Sequence, residues 1–218
     1  MIQFGKWAAM VAFAFVAAAA TNAQVGMRGG PPQFHGVWNP VVGHGGVYEM
    51  TGSDGKKTTM QIAIVGKESV EGKDGFWMEM SFENTDRGEM VIKHLIVLDG
   101  QQTHVVKAVM QMPGMGPMEM PMQMLQRASS QSSDVRNEGQ DLGSESVTVP
   151  AGTFVAEHYR AKDGGDVWAV KDVPPWGLVK FQGKDSSMVL IKIITDAKDK
   201  ITGTPQPMNP MMMGQRPQ

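Results

Sequence analysis

The sequence predicts a mainly β protein whose strands, about ten in number, pair largely in antiparallel fashion. Two observations predict this class. Apolar and polar residues alternate over short runs, which is the pattern of a strand with one buried face. Turn sequences such as Asp54-Gly55 and Asp99-Gly100 separate these runs at roughly ten-residue spacing. Successive strands joined by short turns form hairpins, so we expect a sandwich or a barrel.

The predicted strands fall into two sets that a long segment separates. In the clearest case, Met60, Ile62 and Ile64 alternate with Gln61 and Ala63. The first set covers 47–50, 58–64, 76–83, 90–98 and 103–110; the second covers 145–149, 153–161, 166–171, 176–182 and 187–196. Turns are expected at 53–56, 73–75, 99–100, 150–152 and 163–165, where Gly, Pro and Asp concentrate.

The pattern of residues 1–23 predicts a cleaved secretory signal. Lys6 is their one charge, the apolar run 7–20 follows, and small residues flank Asn22 before the expected cut after Ala23. The run is shorter than the roughly 20 apolar residues of a membrane-spanning helix. We therefore expect a periplasmic or secreted mature chain with no membrane span. Because no cysteine follows the run, lipid attachment at this point is excluded.

Composition excludes several classes of function. Cysteine is absent, so disulfides, thiol catalysis and cysteine metal sites are ruled out. The formal net charge is −2, and loss of Lys6 with the signal makes it one unit more negative. Binding of the phosphate backbone needs a basic face, and no cluster of Lys and Arg is present. Nucleic acid is therefore not an expected partner.

The chain divides into a few predicted regions. Residues 24–45 form a Gly/Pro-rich leader, and 46–203 form a single β domain. Residues 111–140 are a methionine-rich and polar insert in that domain, in which 121–130 has the pattern of a short helix with Pro at its first turn. The tail 204–218, rich in Pro and Met and without periodicity, is expected to be disordered.

The second half carries a family signature. It reads Val-Pro-Ala-Gly-Thr-Phe over 149–154 and then Asp166-Val-Trp-Ala-Val-Lys-Asp-Val-Pro-Pro-Trp-Gly-Leu-Val-Lys180. This string, within about 140–203, resembles a group of exported bacterial proteins related in fold to the lipoprotein-carrier (LolA-like) proteins. The resemblance implies a curved antiparallel half-barrel with its concave face covered by one or more helices. In this chain the methionine-rich insert would supply a short helix or flap. In the carriers that face holds lipid.

Trp168 and Trp176 lie within the signature. As large apolar side chains they are interpreted either as core packing or as the lining of a ligand groove on the concave face. The groove alternative also includes Met115, Met118 and Met122 of the insert.

Methionine is concentrated at the start of the insert and just before it. The positions are Met110, Met112, Met115, Met118, Met120, Met122 and Met124, and the tail adds Met208, Met211, Met212 and Met213. A flexible, polarizable side chain suits a flap over an apolar ligand, or irregular core packing. Thioethers are also soft ligands that select Cu(I), so the same residues form a candidate Cu(I) or Ag(I) site.

The histidines show no catalytic pattern. With a two-residue turn at 99–100, His94 pairs with Val105 and His104 with Leu95, which puts the two histidines on opposite faces of the sheet. No nucleophile motif, zinc motif or phosphate loop is present. We therefore expect a protein that is not an enzyme and that has no cofactor.

Taken together, the sequence predicts an exported binding or carrier protein for a lipid or another apolar molecule. The alternatives are a soft-metal protein of the envelope and a structural or interaction domain without a small ligand.

Overall fold

The computed structural model describes residues 35–84, 88–99, 102–121, 133–134, 136, 139–162 and 164–208. Its strands are β1 (His35–Gly36), β2 (Gly45–Thr51), β3 (Lys57–Val70), β4 (Lys73–Asn84), β5 (Gly88–Asp99), β6 (Gln102–Gln111), β7 (Met118–Glu119), β8 (Ser133–Asp134), β9 (Gln140–Val149), β10 (Gly152–Arg160), β11 (Asp166–Ala169), β12 (Leu178–Gln182), β13 (Ser187–Ile194) and β14 (Gln206–Pro207).

These strands form one large open sheet and one small strand pair. The large sheet has twelve strands in the order β14-β7-β6-β5-β4-β3-β2-β13-β12-β11-β10-β9. Its neighbouring strands are antiparallel, except that β14 runs parallel to β7. β1 and β8 form a separate parallel pair. The predicted mainly β class is confirmed, and every predicted strand has a counterpart. The two-residue strands were not predicted.

The sheet is curved, because strands that are not neighbours in it converge on one face. The Trp176 indole N–H, from the loop between β11 and β12, donates to the Met78 sulfur on β4 at 3.2 Å. The Tyr48 hydroxyl on β2 donates to the Leu178 carbonyl on β12 at 3.1 Å. We call the face that carries Tyr48 and Met78 the inner face. It holds the main apolar core, to which both halves of the chain contribute.

Part of the predicted leader packs against this core. The Val37 N–H donates to the Trp176 carbonyl at 2.6 Å, and the Asn39 N–H donates to the Pro175 carbonyl at 2.8 Å. At Gly36 a Cβ atom would lie 2.1 Å from the Trp176 carbonyl oxygen, so only glycine permits this approach. Residues 36–40 therefore belong to the packed domain, whereas 24–34 lie outside the described residues.

The opposite, outer face is crossed by residues 197–208, which we call the C-terminal strap. The strap begins where the Ala197 N–H donates to the Gly43 carbonyl, and Ile201 packs against Val91 and Val109 of β5 and β6. It ends with β14 beside β7.

The strap extends beyond residue 203, the predicted end of the β domain. Backbone hydrogen bonds join residues of the predicted tail to β7 and its flanks. The Gln206 N–H donates to the Pro117 carbonyl, and the Met208 N–H donates to the Glu119 carbonyl. Residues 209–218 lie outside the described residues.

A candidate ligand face and its methionines

Sheet register sorts the methionines onto the inner face. Directly paired residues share a face, and Met110 pairs with both Ile92 and Met118, while Ile92 also pairs with Met80. The same rule applied across β13 and β2 to β7 puts eight methionines on this face: Met50, Met60, Met78, Met80, Met90, Met110, Met118 and Met188. The outer face of β3 to β6 instead carries residues such as Gln61, Glu79 and Lys93.

The inner face is closed at one end and less covered at the other. Around β2, β3 and β12 it is filled by Trp176, which is 1% exposed and lies 4.6 Å from the ring of Trp38. Toward β4 to β7 it carries both buried apolar side chains, such as Met80 and Met110, and half-buried ones. The half-buried ones include Phe82, Met90, Ile92, Val105 and Met118. Such side chains form an apolar floor that the described residues cover incompletely.

The described parts of the methionine-rich insert are attached at two places. β7 pairs with β6, and the Met120 N–H donates to the Ala108 carbonyl at 2.9 Å. β8 pairs with β1, which adjoins Val37 and Trp176, and β8 also lies close to β6. The predicted helix at 121–130 lies outside the described residues from 122 onward.

The candidate ligand residues of the insert have different surroundings. Met110 is buried and Met118 is half-buried beside it. Met112 and Met115 flank a turn in which the Met115 N–H donates to the Met112 carbonyl, and Met115 is exposed. Met122 and Met124 lie outside the described residues.

The two tryptophans do not form one lining. Trp176 is inside the core, whereas Trp168 is half-buried at its margin, on the opposite side of β11 from Val167. The stacked ring of His158 lies 4.4 Å from Trp168, and the Lys180 ammonium lies 4.4 Å from the same ring. The ligand-groove assignment of these two residues thus stays a prediction, with Trp176 occupied by intramolecular packing.

The sequence did not predict the polar cluster around Trp168. His158 Nδ1 lies 3.1 Å from a Glu145 carboxylate oxygen, and its Nε2 lies 3.2 Å from Asp166. Burial favours a higher pKa for Asp166, but hydrogen bonds from Arg160 and His158 lower it overall. The cluster joins β9, β10 and β11, and its members come from separate strands with no motif that links them. Only a correct register would have revealed it.

The other histidines are separated as expected, although with different partners. His94 pairs with Ala108 and His104 with Val97, because Asp99 pairs with Gln102 and a bulge adds one residue to β6. The pairings with Val105 and Leu95 were therefore wrong. The conclusion that His94 and His104 lie on opposite faces is confirmed. His94 is buried, and burial lowers its pKa to about 4.

Within the described residues, no group of three or more His, Cys, Asp or Glu side chains is arranged to hold a metal ion. Nor do these residues include a helix that combines the length and apolarity of a transmembrane span.

Comparisons with known proteins give two solved structures of low similarity. No family model and no curated protein matches the chain. One structure, described as a candidate lipoprotein of Parabacteroides distasonis ATCC 8503, is 13% identical with a TM-score of 0.36, over 74% of this chain and 100% of that one. The other, described as a candidate exported protein with a YmcC-like fold from Bacteroides fragilis NCTC 9343, is 13% identical with a TM-score of 0.36, over 73% of this chain and 99% of that one. At this level neither identifies a family or a function.

Proposed function

We propose that this chain is an exported binding protein, not an enzyme, that holds an apolar molecule such as a lipid between the inner face of β4 to β7 and the methionine-rich insert. The observation that carries this proposal is that the insert is attached to β6 through β7 and to β1 through β8, next to an inner face that keeps half-buried apolar side chains. The export signal predicted at 1–23 supports a periplasmic or secreted site of action.

The chemistry of the floor suits an adaptable ligand. Methionine is unbranched and polarizable, so a surface rich in it can repack around different apolar shapes. Met90 and Met118 are half-buried on the floor, and Met110 lies buried between Ile92 and Met118. Binding would therefore be driven mainly by removal of apolar surface from water.

A matched pair of substitutions tests the position of the ligand. Val105→Thr adds a hydroxyl to the floor with little change of shape, whereas Val155→Thr makes the same change on β10 at a side chain that is 77% exposed. A hydroxyl that faces an apolar ligand without a partner costs about 1–3 kcal/mol, so Val105→Thr should weaken binding of a fluorescent apolar probe about tenfold. Probe titration measures both dissociation constants.

Val155→Thr should bind the probe as the parent chain does. Saturable probe binding that Val105→Thr leaves unchanged would move the ligand away from this floor. Absence of any saturable binding would favour the structural or interaction domain instead.

A further inference from the structure

We propose that the chain binds one soft monovalent cation, Cu(I) or Ag(I), through the imidazole of His94 and the thioethers of Met110 and Met120, which surround Ala108 on the inner face. This site shares Met110 with the apolar floor, but the proposal does not depend on the binding of an apolar molecule. It also differs from the predicted run of methionines, because it includes a histidine and excludes several members of that run.

The register brings the three ligands around one small residue. His94 pairs directly with Ala108 on the neighbouring strand. Met110 is two residues beyond Ala108 on β6, and hence a diagonal neighbour of His94. The pairs Val109–Glu119 and Met110–Met118 make Met120 the next residue opposite Ala108. The hydrogen bond from the Met120 N–H to the Ala108 carbonyl, 2.9 Å long, supports that position.

These positions are within reach of a common centre. Directly opposed Cβ atoms in an antiparallel sheet lie about 4.5–5.5 Å apart, and diagonal ones about 7–8 Å. Ala108 has no side chain beyond Cβ, so the space above it is left to its longer neighbours. The three rotatable bonds of methionine allow Met110 and Met120 to direct their sulfur atoms there.

The donor set matches a soft cation. Thioethers select Cu(I), and imidazole is also a good copper ligand, provided that it is neutral. His94 is buried where it pairs with Ala108. The chain has no cysteine to compete for the ion.

A neighbouring methionine is already engaged. Met78 pairs with His94 on its other side, and its sulfur accepts the Trp176 indole N–H at 3.2 Å. We therefore assign Met78 to the wall of the site and not to the ligands. Met115, exposed at its turn, is likewise outside the site.

Anaerobic titration of the purified full chain with Cu(I), against a competing chelator, tests the site, and Ag(I) serves as a redox-inert second probe. We expect one ion per chain. Met110→Leu, Met120→Leu and His94→Leu should each weaken binding at least about tenfold, since loss of even an outer-shell partner costs about 10–100-fold. Methionine-to-leucine changes nearly conserve volume, so the fold should persist, and circular dichroism checks this.

Two controls make the same changes outside the site. Met115→Leu and His104→Leu, the latter on the outer face of the same hairpin, should bind like the parent chain. Unchanged affinity in both Met110→Leu and Met120→Leu, or equal losses in Met115→Leu, would overturn the proposal, as would absence of binding in the parent chain. The methionine pair decides the outcome if His94→Leu does not fold.

Discussion

Glu79 shows at the scale of one residue how the strap is held. It lies buried on the outer face of β4, where its carboxylate accepts the Lys200 N–H at 3.0 Å. Burial raises the pKa of Glu79 to about 7, and the nearby Asp199 carboxylate acts in the same direction, against opposing effects of Lys200 and Lys93. Lys93 itself lies 2.5 Å from Asp199. Ionisation of Glu79 thus buries a charge that the Lys200 N–H offsets only in part.

This arrangement predicts a loss of stability as the pH rises. The unfolded chain ionises Glu79 near pH 4.5, whereas the native chain keeps its proton until about pH 7, so the stabilising contribution is complete below pH 4.5 and is lost through pH 7. Glu79→Gln removes the ionisation, and it should raise the free energy of unfolding at pH 8 by up to about 3 kcal/mol, with little effect at pH 4. Urea denaturation at both values measures this. A variant less stable than the parent at pH 8 would contradict the account.

The strap illustrates what the sequence does not reveal at the scale of an element. Over residues 197–208, the strap has two buried apolar side chains, Ile201 and Met208, which are too few to produce a periodic hydrophobic pattern in the sequence. Backbone bonds and ion pairs of Asp199 and Lys200 supply the remaining contacts, and Lys200 pairs with Glu89 as well. Such contacts leave no periodic pattern in the sequence. For that reason the sequence predicts a disordered tail from residue 204.

Shortening the apolar anchor should therefore loosen the strap. Ile201 is 6% exposed and packs on Val91 and Val109, so Ile201→Ala should lower the free energy of unfolding by about 2–4 kcal/mol. Thr202, the exposed neighbour of Ile201, provides the control. Thr202→Ala should change the free energy of unfolding by less than about 0.5 kcal/mol. Urea denaturation measures both variants. Equal effects of the two substitutions would show that docking of the strap on the outer face does not depend on the Ile201 contact.

At the scale of the whole molecule, alternation predicted the strands but not their register. One turn expected at 73–75 lies instead at Glu71-Gly72, where both residues have positive φ, as a two-residue hairpin turn requires. Gly75 is inside β4, where a Cβ atom would lie 2.9 Å from Leu95. Local signals thus mark turns to within a few residues. A shift of one residue in a turn changes which residues pair across the strands. The composition of the inner face, the neighbours of His94 and the Trp168 cluster all depend on these pairings, so local signals do not predict them.

The central claim is that this sheet holds an apolar molecule beneath its methionine-rich insert. Native mass spectrometry of the mature chain purified from its own host tests it most directly, because a bound molecule adds a discrete mass that organic solvent removes. The account predicts one such apolar adduct per chain, reduced in Val105→Thr and retained in Val155→Thr. A chain that carries no adduct, and that takes up no lipid when lipid is supplied, would contradict it.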